Sequence, residues 1–600
     1  MATLVHITHE AREKMGGIGA VLEGLLPAPA YQAAVQRTVL LGNADLPLAS
    51  PPPGLQDVLY ETGGGPSRPL GARLLEAFEQ AEGARGVRVF YGIRSVTCPL
   101  GVGRADCEVV LLDVRDARAE PVSALKRRLW EAFGLESDRF ENDWGYEEWV
   151  RLAGPALEIA LALLDDRLEG AALVSHEFMG LPTLLAARLF VPDLRTIYWA
   201  HECPPVRELM ERRSQERLVL DEALRAPGAR RSFEDLLKDL GGYKHALVSR
   251  AHRAHGVFAV SDRTAQELVL LGEEFRRPVI QVVYNGLPSR AADLATRLRS
   301  RDRLRRYLQD LLGPRPDHVL THVARPVPSK SLDRDLLVLE HLDDRLSAAG
   351  RTAALVVLAS DAGRRTPDQV RAMEAAYGWP VHHRVGWPDL VKGEVPIAEA
   401  AARHNARARA TRALLINQFG FDRASCGDRV PEGLAFEDLR RGSDAEFGQS
   451  AYEPFGISPL ETLPFGGLCV LSRVCGSAQL VRRVTGGRLP PNVLLGHYAA
   501  PRGARPGDLS PDDARRIEHQ VAADVARQLA DRLPTDEEAM ARLLESGAAL
   551  AGRISWQAVC ARYIVPALGR CLGHPVRRRP NGSQRSGSRK NSGTGTPRHG

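Results

Sequence analysis

The stretch YEPFGISPLETLPFGGLCVLSR, residues 452–473, decides how the rest of the chain is read. Its two carboxylates, Glu453 and Glu461, stand on either side of a Pro-Phe-Gly-Ile-Ser-Pro segment, and an apolar run follows. Ser458-Pro459-Leu460-Glu461 predicts a helix start. Ser458 is the expected N-cap, Pro459 the first helical residue and Glu461 the partner that closes a capping box. Such a cap contributes roughly 0.5–2 kcal/mol. It gives no reason for Glu453 or for the glycine at 456.

Apolar runs like the one after this stretch recur along the chain. TLVHIT (3–8), AALVSH (171–176), LRTIYWAH (194–201), HGVFAVS (255–261) and VIQVVYNG (279–286) form a first series. HVLTHVAR (318–325), AALVVLAS (353–360), ALLINQ (413–418) and LCVLSR (468–473) form a second. Helix-like stretches lie between them, for example 151–168, 262–272 and 332–349. Continuous apolar strands alternating with helices predict parallel sheets buried on both faces. A polar stretch, 289–317, separates the two series and predicts two doubly wound domains. In that architecture ligands bind beyond the carboxyl ends of the strands, and the deep site lies between the domains. Residues 50–70 and 420–450 read as loops or insertions.

Composition sets wider bounds. The chain has 600 residues, 44% hydrophobic and 26% charged, enough for more than one core. No run of 18 uncharged apolar residues appears, so no membrane span is expected. The opening MATLVHITHE has no basic segment leading into an apolar one, so no secretory leader is expected. Eight scattered cysteines without a C-x-x-C pair argue against a disulfide framework or a zinc site, and a reduced, cytoplasmic setting is expected. The formal charge of +6 is carried by the C-terminal segment: its seven basic residues, without an acid, leave −1 for the rest. That Gly/Ser/Pro/Arg-rich tail, 575–600, is expected to be disordered. It reads as a solvated tail, with contact to nucleic acid or another acidic partner as the alternative.

Candidate chemistry gathers at the predicted strand ends. KMGGIGAVLEGLL (14–26) reads as a glycine turn opening a helix. Backbone N–H groups at such a turn favour a phosphate, and Lys14 adds charge; a tight packing turn is the plain alternative. VARPVPSKS (323–331) places Arg325 and Lys330 after a strand. They read either as solvated loop cations or as a phosphate grip. His-Glu occurs at 9–10, 176–177 and 201–202, each after an apolar run. None continues as H-E-x-x-H, which excludes that zinc-protease pattern. Asp333 and Asp335 form a D-x-D at a predicted helix start, where acids favour the macrodipole, and no other clustered acid supports a metal there. No G-x-S-x-G, Walker A or kinase pattern is present.

Taken together, these stretches resemble the retaining GT-B glycosyltransferases, glycogen and starch synthases in particular. YEPFGISPLE is similar to their Glu-x₇-Glu signature, and KMGGIG to their K-x-G-G-L. HEFMGLP (176–182), VSDRTAQELVLL with YNGLP, and FEDLRRGSDAEFGQSAYEPFG (436–456) resemble the animal and fungal enzymes. The Arg325/Lys330 spacing instead resembles the G-R-x-x-x-Q-K-G of the bacterial and plant enzymes, with Ser331 where they have glycine. SWQAVCARYIVPAL (555–568) looks like the closing helix of the superfamily.

The resemblance implies an α/β GT-B fold with two Rossmann-like domains facing a central cleft. They would span 1–300 on the acceptor side and 315–550 on the nucleotide-sugar side, with 551–572 crossing back. It implies transfer of glucose from UDP- or ADP-glucose to an α-glucan, without a metal or other cofactor. Arg325 and Lys330 would hold the diphosphate, Glu453 would face the donor sugar and Glu461 the ribose. Phe455, Gly456 and Ile457 would line sugar and phosphate. Lys14, Gly16 and Gly17 would approach from the first domain, with His176 beside the sugar and Asn285 and Gly286 shaping the cleft. Two alternatives stand beside this reading. One is a GT-B enzyme for a small sugar, sugar phosphate or lipid-linked acceptor. The other is a non-catalytic glucan- or nucleotide-binding protein.

Overall fold

The computed structural model describes residues 2–44, 55–98, 103–165, 167–212, 216–276, 280–288, 290 and 292–573. The basic tail expected from residue 575, and the start of the loop expected at 50–70, lie outside them.

Ten strands form the first sheet: β1 (Ala2–Ile7), β2 (Val35–Asn43), β3 (Asp57–Glu61), β4 (Gly65–Pro66), β5 (Arg88–Thr97), β6 (Arg104–Asp113), β7 (Ala171–His176), β8 (Arg195–Ala200), β9 (Gly256–Ala259) and β10 (Ile280–Val282). Their order is β10-β9-β8-β7-β1-β2-β6-β5-β3-β4. The strands from β10 to β6 pair in parallel, while β5, β3 and β4 add an antiparallel edge. The second sheet contains β11 (His318–Val323), β12 (Ala353–Leu358), β13 (Thr411–Ile416), β14 (Ala445–Gly448), β15 (Leu468–Ser472) and β16 (Val493–Gly496). It is wholly parallel, in the order β13-β12-β11-β14-β15-β16.

Helices cover both faces, and this is why β7 and β12 are buried along their whole length. The polar stretch 289–317 is mostly a helix, Leu294–Leu312, and it belongs with the second sheet. Arg297 and Arg301 on that helix reach the buried Asp444, with N–O distances of 3.4 and 2.9 Å. Asp444 also accepts the Val319 N–H at 3.0 Å, which ties the helix to β11. The segment read as a loop at 420–450 contains β14, a central strand of the second sheet. Its four residues carry a buried charge, Glu446, and so lack an apolar signature.

The chain ends by returning to the first sheet. A short helix (Trp556–Val559), a π turn (Cys560–Ile564) and a last helix (Val565–Leu572) pack there. Gln557 accepts the Ala30 N–H at 2.7 Å, and Arg570 reaches Gln281 at 2.6 Å. Trp556 fits only because two positions lack a side chain. A Cβ on Gly24 would lie 1.9 Å from its indole nitrogen, and one on Gly286 would lie 2.4 Å from its Cα.

Candidate active site

The carboxyl ends of the two sheets face one another. Tyr452, from the second sheet's side, crosses to the first: its hydroxyl lies 3.0 Å from the Cys203 nitrogen and donates to Glu267 at 3.0 Å. Ser329 Oγ donates to Glu211 at 3.1 Å, and Arg483 pairs with Asp262 at 2.9 Å.

Within this frame Lys330 Nζ forms an ion pair with the Glu453 carboxylate. Lys330 ends a 3-10 turn (Pro328–Lys330) after β11, while Glu453 follows β14. Both are partly buried. The turn is held on the Glu453 side by the Ser329 carbonyl, which accepts the N–H groups of Ala451 and Tyr452 at 3.0 and 3.1 Å. Arg325 follows the end of β11, and desolvation by the surrounding protein, then the nearby Arg207, lowers its pKa. Ser331 sits at φ 49° and ψ 51°, the left-handed region that glycine enters without strain.

The loop after Glu453 is equally constrained. Gly456 has φ 82°, and a Cβ there would lie 2.9 Å from Glu453 Cγ. Phe455 is buried, and its carbonyl accepts the Ser477 N–H at 2.8 Å. Ile457 is partly exposed.

The expected capping box at Ser458 and Glu461 does not form. Ser458–Leu460 is a 3-10 turn without a side-chain cap. Ser458 Oγ instead donates to the Val323 carbonyl at 3.0 Å and accepts from Arg440 at 2.8 Å. Glu461 pairs with Arg440 at 2.5 Å. Arg440 is buried and also faces Glu446 at 3.0 Å, so it draws both polar side chains away from the turn's backbone.

Two further expectations change. The glycine turn was expected to offer its N–H groups to a phosphate. Instead the buried Glu10 carboxylate accepts the N–H groups of Met15 and Gly16, both at 2.6 Å. Lys14 pairs with Glu23 at 2.9 Å. Gly17 stays exposed, with open space where a Cβ would be. His176 was expected beside the sugar, but its side chain is wholly buried. Its Nδ1 lies 2.7 Å from His201 Nε2 and its Nε2 lies 2.8 Å from His6 Nδ1. His201, half-buried at the end of β8, stands at the position outside it.

Glu177, the next residue, is strained at φ 56° and ψ −163°. Its Oε1 accepts the backbone N–H groups of His201 and of Glu202, the latter at 2.7 Å. Burial, followed by the charge of Glu202, pushes the Glu177 carboxyl well above the usual range. Asn285 is buried beside Gly286, in the region that Trp556 closes. Asp335, from the D-x-D, is bound to His322 and accepts from Gln449 at 3.0 Å. Among the described residues no group of three or more His, Cys, Asp or Glu is placed to hold a metal. None of their helices is long and apolar enough to cross a membrane.

No family model and no curated protein matches the chain by sequence. Solved structures match its fold. The catalytic domain of starch synthase IV from Arabidopsis thaliana, bound to ADP and acarbose, is 14% identical with a TM-score of 0.50, covering 96% of this chain and 100% of its own. A UDP-forming α,α-trehalose-phosphate synthase from Burkholderia xenovorans, in complex with glucose-6-phosphate, is 12% identical with a TM-score of 0.50, covering 95% and 100%. The fold is GT-B. At this identity the likeness extends to architecture alone.

Proposed function

We propose that the protein is a retaining glycosyltransferase that moves glucose from UDP- or ADP-glucose to an α-glucan. The observation that carries this reading is the Lys330–Glu453 ion pair at the facing carboxyl ends of the two sheets. Arg325 stands at the end of the same strand as Lys330's turn. A departing nucleoside diphosphate develops negative charge, and fixed cations at that point stabilise it without a metal. Glu453, paired with Lys330, accepts hydrogen bonds from donor-sugar hydroxyls once the lysine turns to the diphosphate. The Glu-x₇-Glu stretch and the segment 436–456 favour a glucan acceptor. Glu461, through Arg440, remains the candidate for the ribose.

The test is nucleotide release, measured for UDP- and ADP-glucose against glycogen, glucose 6-phosphate and small sugars. Release that depends on glycogen supports the reading. Release only with a small sugar or sugar phosphate replaces the acceptor. Nucleotide binding without turnover on any pair favours a non-catalytic binding protein. Arg325→Ala and Glu453→Ala with undiminished turnover would remove the assigned site.

A further inference from the structure

Three imidazoles run in one hydrogen-bonded file from the core of the first sheet to its carboxyl end. Tyr31 hydroxyl lies 3.0 Å from Thr38 Oγ1 and 3.2 Å from His6 Nε2. His6 Nδ1 lies 2.8 Å from His176 Nε2, and His176 Nδ1 lies 2.7 Å from His201 Nε2. The ring planes are close to parallel, at 27° for His6–His176 and 15° for His176–His201, and the centroids lie 5.1 and 5.0 Å apart, as for rings bonded edge to edge. Trp199 lies nearly parallel to His176 and His201, at 17° and 7°. His6 and His176 have no exposed surface. Burial holds His6 and His201 down at about 3 and His176 well below its usual range, so all three are neutral near pH 7.

A neutral imidazole has one N–H and one bare nitrogen. Every link in the file therefore points the same way, and only two arrangements exist. In one, each Nδ1 carries the proton and hydrogen bonds run outward. In the other, each Nε2 carries it and they run inward. The Tyr31 link chooses between them. A phenol O–H is a stronger donor than a neutral imidazole N–H, and an imidazole nitrogen is a stronger acceptor than a phenol oxygen. Tyr31 therefore donates to His6 Nε2, and Thr38 donates to Tyr31. His6 then donates from Nδ1 to His176, His176 donates from Nδ1 to His201, and His201 is left with its proton on Nδ1. Glu177 holds the His201 main chain by accepting its backbone N–H.

We propose that Tyr31, His6 and His176 are positioning residues that hold His201 in the neutral Nδ1–H form, so that it offers a hydrogen-bond donor to an oxygen in the cleft. Its value for catalysis rests on the glycosyltransferase reading, where that oxygen belongs to the sugar or the phosphate; the tautomer itself does not. His6 is part of the apolar run TLVHIT and carries no motif, so the sequence alone does not connect it to His201.

Histidine-labelled protein, observed by two-bond ¹H–¹⁵N correlation at pH 7, reads the tautomers directly. His6→Gln, His176→Gln and His201→Gln assign the signals by their loss. The expected result is three neutral Nδ1–H rings. Tyr31→Phe removes the directing donor, and because the links turn together Nε2–H signals should then appear for His6, His176 and His201 alike. An Nε2–H or charged ring at any of the three positions in the native protein overturns the proposal. So does a Tyr31→Phe protein with unchanged tautomers. Thr38→Val keeps the phenol and should keep the Nδ1–H forms, which separates direction from packing. If turnover is found, Tyr31→Phe should lower kcat about tenfold with KM for the donor little changed, the size expected for one misaligned hydrogen bond. An unchanged kcat overturns the positioning role even where the tautomers agree.

Discussion

At the scale of single residues, the site is a set of charges that satisfy one another. Lys330 is neutralised by Glu453, and Glu10 occupies the N–H groups of the glycine turn. Lys330→Ala and Glu453→Gln should each lower nucleotide release about 10²–10³-fold, the usual loss when one group that stabilises transition-state charge is removed. Steady-state rates on the active donor–acceptor pair check this. Glu10 has a structural part as well. Its two bonds to backbone N–H groups are charge-assisted, so Glu10→Ala should cost roughly 2–4 kcal/mol in denaturant unfolding. Gly19→Ala should also destabilise, because its Cβ would lie 2.3 Å from Glu10 Oε2 and 2.8 Å from Lys14 Cα. At Ser331 the sign reverses. Glycine there relieves left-handed strain, and Ser331→Gly should stabilise by roughly 0.5–1 kcal/mol.

At the scale of elements, legibility followed burial. Strands β7 and β12 are apolar throughout, because helices cover both sheet faces, and their runs in the sequence coincide with the observed strands. β14 is short and holds the buried Glu446, whose charge is met by Arg440, so its strand character depends on a partner six residues away. The helix Leu294–Leu312 looked like a polar boundary because much of its anchoring is ionic. The candidate site shows the same division. Lys330 and Glu453 carry a local pattern, and the structure brings them together. The file of His6, His176 and His201 depends on strands β1, β7 and β8 lying side by side, a pairing that periodicity does not specify. Ionic anchoring has a testable cost. Asp444→Ala leaves Arg297 buried without its carboxylate and should destabilise by about 3–5 kcal/mol. Burial raises and Arg301 lowers the Asp444 pKa, and the net result is well below the ordinary value. Its stabilisation is thus present above the unfolded pKa and lost as pH falls, so the penalty of Asp444→Ala should shrink in acid unfolding measurements.

At the scale of the whole molecule, the two halves meet through a buried carboxyl whose protonation bears on their contact. Glu267 lies on the first domain, fully buried, and accepts from the Tyr452 hydroxyl one residue before Glu453. Burial pushes it up to about 7, while Arg263 at 3.1 Å and Tyr452 pull the other way. Asp221 shares Arg263 at 3.3 Å, Glu202 adds a like charge, and Cys203 contacts the same phenol. A carboxyl whose folded pKa is raised binds more protons in the folded state between its unfolded and folded values. Stability attributable to Glu267 is therefore greatest at low pH and is lost as pH rises from about 4.5 to 7, by roughly 3 kcal/mol in all. The buried histidines act in the opposite sense. Their folded values are depressed, so they lose stability as pH falls below 6.5. The informative quantity is the difference between native protein and Glu267→Gln, in which the histidine contribution cancels. Unfolding free energy measured from pH 4.5 to 8 should show the native protein losing stability relative to the variant as pH rises. A flat difference would place Glu267 outside the pH response. Tyr452→Phe breaks the same link from the other domain. It should loosen the interface in small-angle scattering, and if Glu453 works on the donor it should raise the donor KM, since the hydroxyl that ties the preceding residue to the first domain is gone.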